Sequence, residues 1–380
     1  MRPFSLLVKP CSGNCNLRCE YCFYSVRGRN PLYKSASRMS NHVLDCLVGS
    51  YMATDQAVYS FAWQGGEPLL AGVDFFKQAI DLQKTYGKPG SCVFNGVQTN
   101  GTLLSPEFAR LLAQYRVLLG ISLDGPPAIH DHYRRNAAGR GSHADVMKGI
   151  ACCRKHGVEF NILTLVNSLH AGKGAEIYRY LCDNGFLFHQ YIPCIEFNED
   201  GRPKPYTIGA EQWGDFMCAV FDEWIKKDTR RVSVRLFDAV VAKLVEGQNV
   251  MCTLGSNCST YFVVEHNGDV FPCDFFVKRE FLLGNVAVDS WEKLLSSPVF
   301  AEFGAQKSKW NSRCSTCPYL SFCAGDCLKH RFSSGNNPET LSWLCAGWKQ
   351  FYAHSLDRFQ ELAQQIKAER DGTGIGRAVC

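Results

Sequence analysis

The grouping of its cysteines constrains this chain more than any other feature. There are 20 cysteines in 380 residues; three stand in C-x3-C-x2-C spacing near the N-terminus, and eight more lie between residues 252 and 345. No charged-then-apolar leader precedes them, and no apolar run reaches the roughly eighteen residues that a membrane span needs. Local cysteine groups of this kind indicate metal or iron–sulfur ligands rather than disulfides, and we expect a cytoplasmic location without membrane attachment.

The composition is that of a globular protein with a full core. Hydrophobic residues make up 46% of the chain and charged residues 20%, which excludes disorder as the main state. The net charge of +5 is mild, and no block of like charge stands out. We therefore expect no nucleic-acid partner.

The first 235 residues alternate short apolar strands with amphipathic helices. The pattern predicts strands at 4–9, 59–63, 92–98, 117–123, 159–166 and 187–194. It predicts helices at 40–53, 73–86, 105–115, 143–156, 173–184 and 211–227. Such alternation is typical of parallel βα units, so we expect an α/β fold with a partial (β/α)6 barrel; a full barrel and a doubly wound open sheet are the alternatives. The cysteine triplet, GGEP, QTNG and SLDG all follow predicted strands, where such folds carry their chemistry.

The alternation of strands and helices ends after about residue 236. A stretch rich in cysteine and aromatic residues follows, in which Asn267-Gly268 between alternating apolar residues predicts a β-hairpin. Residues 346–368 read as one amphipathic helix, and the last twelve as a loose tail. The expected domains are therefore 1–235, 236–345, and 346–380 for the C-terminal helix and tail.

Three thiolates on one short loop suit an iron–sulfur cluster. Cys15, Cys19 and Cys22 would leave one iron of a four-iron cubane open for a substrate, as catalytic metal sites do. A structural zinc ion is the alternative, although no His or further Cys follows at zinc spacing. Cys11 lies four residues before Cys15 and is either a fourth ligand or a buried thiol.

With its aromatic residue before the last cysteine, CNLRCEYC in CSGNCNLRCEYCFY resembles the motif of radical S-adenosylmethionine (SAM) enzymes. The resemblance implies that the open iron binds SAM, that Tyr21 lies near the adenine, and that the backbone at Gly66 in GGEP pairs with the amino group of SAM. By the same resemblance Ser122 and Arg134 contact the SAM carboxylate, with Arg135 as the competing arginine. Ile195 is the implied apolar contact of the adenine, or else an ordinary core residue.

The second cysteine group reads C-x9-G-x4-C, then C-x2-C-x5-C-x3-C, then a final C. This order resembles the SPASM domain of radical SAM enzymes, and an additional cysteine supplies an eighth ligand. The resemblance implies two fully ligated auxiliary clusters that carry electrons, so that the chain would hold three [4Fe-4S] clusters in all; a pair of zinc sites on the same residues is the alternative. The implied ligands are Cys252, Cys258, Cys273 and Cys327 for one cluster, and Cys314, Cys317, Cys323 and Cys345 for the other.

Over nearly its whole length the chain resembles anaerobic sulfatase-maturating enzymes, on LLVKP, CFY, QGGEPLLAG, QTNGTLL, SLDGP, VEFNIL and VFPCDFF followed by LGNV. That family oxidises a Cys or Ser of a sulfatase to Cα-formylglycine, by SAM cleavage, hydrogen abstraction from Cβ and electron loss to the auxiliary clusters. The resemblance implies that Asp274 is the general base; a turn residue is the alternative. It also implies a sulfatase polypeptide with a C/S-x-P/A-x-R motif as substrate, and an electron donor such as ferredoxin or flavodoxin.

Two other functions compete with this reading. Another SPASM peptide maturase would form thioether or carbon–carbon crosslinks; many of these have an additional N-terminal peptide-recognition domain, for which the early first strand leaves no room. A non-catalytic electron carrier is the rival from a different class, but a pure carrier needs no open iron and no GGEP segment. The sequence does not distinguish a Cys target from a Ser target.

Overall fold

The computed structural model describes residues 2–24, 38–332 and 337–373. The chain divides into two compact units. The first consists of residues 1–165 and 257–306, and the second of residues 166–256 and 307–380. The domain limits expected from the motifs, at residues 235 and 345, remain a prediction.

Parallel strands and helices alternate in the first unit as the sequence predicted. The strands are β1 Ser5–Val8, β2 Val58–Trp63, β3 Cys92–Thr99, β4 Leu118–Ser122 and β5 Phe160–Val166, each parallel to the next. The helices are Asn41–Met52, Val73–Tyr86, Pro106–Gln114, Pro127–Tyr133 and His143–His156. The seven-residue helix Pro127–Tyr133 was not predicted. Strand order follows chain order, without the reversal that defines a doubly wound sheet, so the partial-barrel prediction is confirmed over that alternative.

Local sequence explains why these elements form. In β2 alternate residues Tyr59, Phe61 and Trp63 are buried, which is the pattern of a strand that packs through one face. Ser40 caps the helix Asn41–Met52, because its hydroxyl accepts a hydrogen bond from the Val43 N–H. Ser105 caps the helix Pro106–Gln114 in the same way, by accepting from the Phe108 N–H, and both helices begin within one residue of the predicted start.

The predicted hairpin extends the sheet of the first unit. Strands β8 Tyr261–Val264 and β9 Asp269–Phe271 are antiparallel, and β10 Gly284–Asn285 pairs with β9. The turn contains Gly268 at φ +91°, a conformation that favours glycine. Unexpectedly, β8 also pairs in parallel with β1, giving the order β10-β9-β8-β1-β2-β3-β4-β5. Among the described strands of this unit the sheet is open, not a closed barrel.

The second unit contains a pair of parallel strands and a layer of helices. Strands β6 Phe188–Pro193 and β7 Ser233–Val234 pair with each other. The long helix Cys345–Thr373 packs on neighbouring helices through ring pairs such as Phe221–Phe359, whose centroids are 4.9 Å apart, and Trp213–Trp348, at 5.4 Å. The other helices of this layer are Gly174–Asp183, Ala210–Lys227 and Arg235–Glu246.

The C-terminal helix predicted at 346–368 is confirmed, and its first residue is the predicted ligand Cys345. The tail from residue 374 onwards, including Cys380, lies outside the described residues. None of the helices in the described ranges has both the length and the apolar character that a bilayer crossing requires.

Candidate functional site

The first cysteine group forms a loop directly after β1. The Cys15 thiol accepts hydrogen bonds from the Leu17 N–H at 3.3 Å and from Asn100 Nδ2 at 3.5 Å. Burial raises the pKa of Cys19 to about 12; Arg134 opposes this rise, and Cys22 and Cys15 add to it. The three thiols are therefore close enough to act on one another electrostatically. As ligands they must be deprotonated, so an iron–sulfur cluster fits this loop as the source of positive charge.

Cys11 differs from the three loop cysteines. Its side chain is buried, whereas Cys15, Cys19 and Cys22 are each partly exposed. Burial raises the pKa of Cys11 to about 11. Because Cys15 has the same rise in pKa, only the lower exposure of the Cys11 side chain favours the alternative of a buried thiol at the strand end, and whether Cys11 is a ligand remains a prediction.

The GGEP segment lies against the backbone of the cysteine loop. Gly66 N–H donates to the Ser12 carbonyl at 2.8 Å, and Glu67 N–H donates to the Asn14 carbonyl at 2.7 Å. A Cβ at Gly66 would lie 2.1 Å from the Asn14 carbonyl oxygen, and one at Gly65, which has φ +121°, would lie 2.5 Å from the Ser12 oxygen. Both positions therefore require glycine for this close approach.

Glu67 ties this segment to the QTNG loop, a role that the sequence did not reveal. The fully buried carboxylate accepts hydrogen bonds from the Leu69 N–H at 3.0 Å, from Thr99 Oγ1 at 2.8 Å and from the Asn100 N–H at 2.8 Å. Burial raises the pKa of Glu67 to about 7, although these donors oppose the rise. The QTNG loop in turn reaches the cysteine loop, where Asn100 Nδ2 donates to Asn16 Oδ1 at 2.8 Å.

Two of the predicted SAM contacts converge on Asp124 in the SLDG segment. The Arg134 guanidinium binds the Asp124 carboxylate through two atoms, Nε at 2.9 Å and Nη2 at 3.1 Å, and the Tyr21 hydroxyl donates to the same carboxylate. Arg134 is 7% exposed, whereas the competing Arg135 is exposed and donates to a backbone carbonyl. This arrangement favours Arg134 as the inward-facing arginine. No sequence argument had assigned a role to Asp124.

The remaining predicted SAM contacts are placed as follows. Ser122, at the end of β4, is nearly buried, and its hydroxyl accepts a hydrogen bond from Gln98 Nε2 at 3.2 Å. Ile195 belongs to the second unit, follows β6 and is buried.

Asp274 begins a short 3-10 turn directly after Cys273, in the same unit as the cysteine loop. Its carboxylate is buried, forms an ion pair with the Lys9 ammonium and accepts a hydrogen bond from the Tyr24 hydroxyl. Lys9 is fully buried and also pairs with Glu265 at 3.1 Å. Lys9 and Tyr24 belong to the quoted segments LLVKP and CFY, but no sequence pattern joined them to residue 274.

Four cysteines of the second group line one cavity of about 130 Å³ in the second unit. They are the four ligands that the family resemblance implied for one auxiliary cluster, namely Cys314, Cys317, Cys323 and Cys345. Nowhere in residues 2–24, 38–332 and 337–373 do three Cys, His, Asp or Glu side chains converge as a single ion would require. In a cubane each thiolate bonds a different iron, so four cysteines around one cavity are a ligand set that suits a [4Fe-4S] cluster.

The other predicted auxiliary ligands are divided between the units. Cys258 and Cys273 belong to the first unit, and Cys252 and Cys327 to the second. Burial raises the pKa of Cys252, and Lys307 and Arg235 act in the opposite direction. Thiols beside cations suit thiolate ligands of a metal cluster.

Known families account for both cysteine groups. Residues 10–179 match the radical SAM superfamily, and residues 252–318 match the SPASM iron–sulfur cluster-binding domain. The solved structure of native anSMEcpe with bound AdoMet and Kp18Cys peptide has a TM-score of 0.90 and 33% identity, covering 96% of this chain and 100% of that one. The structure of Streptococcus suis SuiB bound to S-adenosylmethionine has a TM-score of 0.64 at 16% identity, covering 90% of this chain and 77% of that one, which shows the fold alone.

Relatives that match this chain over nearly its full length identify the family more specifically. The serine-type anaerobic sulfatase-maturating enzyme of Bacteroides thetaiotaomicron is 33% identical over 398 residues, covering 100% of this chain and 95% of that protein. The cysteine-type anaerobic sulfatase-maturating enzyme of Clostridium perfringens is 34% identical, covering 97% of this chain and 100% of that protein. The chain therefore belongs to the family of anaerobic sulfatase-maturating enzymes, radical SAM oxidoreductases with a SPASM domain.

Proposed function

We propose that this chain oxidises a Cys or Ser side chain of a sulfatase polypeptide to Cα-formylglycine. The observation that carries the proposal is the buried Asp274 carboxylate, held by Lys9 and Tyr24 in the unit that also contains the cysteine loop. A proton acceptor in this unit is what oxidation of a thiol or hydroxyl requires in addition to radical chemistry.

Three [4Fe-4S] clusters and SAM would together supply the one-electron cleavage of SAM, the abstraction of a hydrogen atom from the substrate Cβ, and an acceptor for the second electron of the substrate. Within the chain, the proposed holders of the open cluster are Cys15, Cys19 and Cys22. The other eight cysteines would ligate the auxiliary clusters, namely Cys252, Cys258, Cys273, Cys314, Cys317, Cys323, Cys327 and Cys345.

The SAM site is proposed to use the network around Asp124. Because Asp124 fixes Arg134 through Nε and Nη2, the contact with the SAM carboxylate falls to Nη1, with Ser122 as a second donor. The other proposed SAM contacts are the Gly66 backbone, Tyr21 and Ile195. The Tyr21 ring is itself fixed edge-on against Tyr133, with centroids 5.6 Å apart.

Asp274 is proposed to take the proton of the substrate thiol or hydroxyl. Overall the substrate loses two electrons and two protons, one proton with the hydrogen atom from Cβ and one to this carboxylate. A Cys target gives a thioaldehyde, whose hydrolysis yields the aldehyde and sulfide. Lys9 supplies the opposite charge that a buried carboxylate requires, and Tyr24 fixes its orientation.

The proposed substrate is a sulfatase segment with a C/S-x-P/A-x-R motif, and a donor such as ferredoxin or flavodoxin would supply electrons. Structures of anSMEcpe with bound Kp18Cys and Cp18Cys peptides support a peptide substrate for the family. A cytoplasmic location without nucleic acid or membrane attachment is part of the same proposal.

The test is anaerobic incubation of the reconstituted protein with SAM, dithionite and peptides carrying C-x-P-x-R or S-x-P-x-R. The expected products are 5′-deoxyadenosine and a peptide aldehyde, detected by mass and by hydrazide labelling. A crosslink-forming maturase would instead give a peptide that has lost two hydrogens and does not react with hydrazide. Absence of deoxyadenosine would favour an electron carrier.

A further inference from the structure

Three consecutive residues between Cys323 and Cys327 have left-handed backbone. Their φ angles are +46° at Ala324, +69° at Gly325 and +63° at Asp326. Left-handed backbone is unfavourable for residues that carry a Cβ, so a run that includes Ala and Asp needs support from its surroundings. By the proposed ligand assignment, this turn joins a ligand of one auxiliary cluster to a ligand of the other.

A buried lysine binds the carbonyls of this turn. The Lys307 side chain is fully buried, and its ammonium donates to the carbonyl oxygens of Ala324, at 3.1 Å, and Asp326. It also donates to the carbonyl of Thr253 at 3.3 Å. Each of these residues adjoins a predicted ligand, so the ammonium lies beside the backbone that carries Cys252, Cys323 and Cys327.

A buried arginine also binds the carbonyls of the left-handed turn. Arg331 is 1% exposed, and its guanidinium donates to six backbone carbonyl oxygens, those of Lys307, Lys309, Ala324, Gly325, Asp326 and Pro338. A Cβ at position 325 would lie 2.4 Å from Arg331 Nη2, so glycine is required there. The left-handed turn thus directs its carbonyls at two cations.

Carbonyl oxygens are dipoles and do not neutralise these cations. A buried charge is costly unless an opposite charge lies nearby. A buried carboxylate in this region is Asp326, which accepts hydrogen bonds from Ser342 Oγ at 2.6 Å and His330 Nδ1 at 2.9 Å. Thiolate-ligated clusters at the adjoining cysteines would bring further negative charge close to both cations.

We propose that Lys307 and Arg331 are the counter-charges of the auxiliary clusters and raise their reduction potentials. The inference rests on the proposed function only in assigning clusters to these cysteines. A fixed cation in a water-poor interior stabilises the more negative, reduced form of a cluster more than the oxidised form. The two residues thereby make the auxiliary clusters better acceptors of the electron that leaves the substrate.

The test compares the reduction potentials of the auxiliary clusters in the holoenzyme and its variants by anaerobic titration followed by electron paramagnetic resonance. Lys307→Gln removes the charge but keeps N–H donors for the carbonyls, and Lys307→Arg keeps the charge. Lys227→Gln is the matched control, since Lys227 is an exposed lysine at the end of the helix Ala210–Lys227. We expect Lys307→Gln to disfavour reduction of an auxiliary cluster about tenfold, a shift of about 59 mV for a one-electron couple, with the other two variants parent-like.

A parent-like potential in Lys307→Gln, with full iron content, would overturn the proposal. If Lys307→Gln does not load iron, Lys307→Arg decides: loading there supports the need for charge, and failure there makes Lys307 a packing element and overturns the proposal. Failure of the proposed function is a separate outcome, since a parent protein that makes no formylglycine still has measurable potentials. Zinc in place of iron at these cysteines would overturn both.

Discussion

Replacing Asp274 with Asn removes the proposed base and leaves a side chain of nearly the same size. Asn cannot take a thiol or hydroxyl proton at neutral pH, and loss of a general base costs about 10²- to 10⁴-fold in rate. At about 1.36 kcal/mol for each factor of ten, this corresponds to about 2.7 to 5.4 kcal/mol of barrier. We expect Asp274→Asn to release 5′-deoxyadenosine and to form almost no formylglycine.

The surrounding contacts indicate that this variant folds. Lys9 keeps its ion pair with Glu265 at 3.1 Å, so the substitution does not leave the buried ammonium without a partner. The Asn amide oxygen can still accept a hydrogen bond from Tyr24. The contacts with Lys9 and Tyr24 are both weakened, at about 1 to 3 kcal/mol for each charged hydrogen bond. Because both partners keep an acceptor, we expect full iron content.

The assay quantifies deoxyadenosine and peptide aldehyde in the same reaction. Glu265→Gln is the matched control, because it removes the other carboxylate from Lys9 and should keep both products within a few-fold of the parent. Formation of formylglycine by Asp274→Asn at close to the parent rate would refute the reasoning and leave Asp274 as a turn residue. Loss of iron would make it a structural support of Cys273.

Further predictions test the first unit. Joint replacement of Cys15, Cys19 and Cys22 by Ala should abolish deoxyadenosine release and lower iron from about twelve to about eight atoms per chain; cleavage that survives would place the open cluster elsewhere. Gly66→Ala puts a Cβ 2.1 Å from a cysteine-loop carbonyl. Such overpacking costs about 1 to 3 kcal/mol, so SAM affinity in equilibrium dialysis should fall about tenfold, and parent-like affinity would contradict the close approach. Burial raises the pKa of Glu67 from 4.5 to about 7, so the native state holds a proton that the unfolded chain releases. The free energy of unfolding should therefore fall by about 3 kcal/mol as pH rises from about 4.5 to 7, and Glu67→Gln should flatten this slope in urea titrations.

Local patterns were sufficient for most of the fold. Period-two burial in β2 and the serine cap of the helix Asn41–Met52 act over a few residues, so the sequence displays them directly. Pairing of β8 with β1 has no such local pattern, because it joins segments at opposite ends of the first unit's sequence. The short strand β7 was missed for a related reason, since two residues are too few to show a period.

The candidate site likewise combines features that could be predicted from the sequence with features that could not. Cysteine spacing predicted the ligands, but long-range contacts select the partners Glu67 and Asp124, which the motifs GGEP and SLDG contain without distinguishing them. The left-handed turn after Cys323 was equally hidden. Gly325 is the residue type in it that most favours positive φ, Ala324 is the left-handed cap of the helix Leu320–Cys323, and the cations Lys307 and Arg331 bind the carbonyls of this turn.

The parallel pairing of β1 with β8 has a consequence for biosynthesis. Strand β1 ends at Val8 and strand β8 begins at Tyr261, so about 250 residues separate the two strands. A ribosome that adds about 5 to 20 residues per second makes β8 about 10 to 50 s after β1. Throughout this interval the nascent β1 has an uncovered edge, a surface that attracts other strands. Heterologous production is therefore expected to need chaperones that shield this edge, and Cys273 reaches its final position only after β8 has docked.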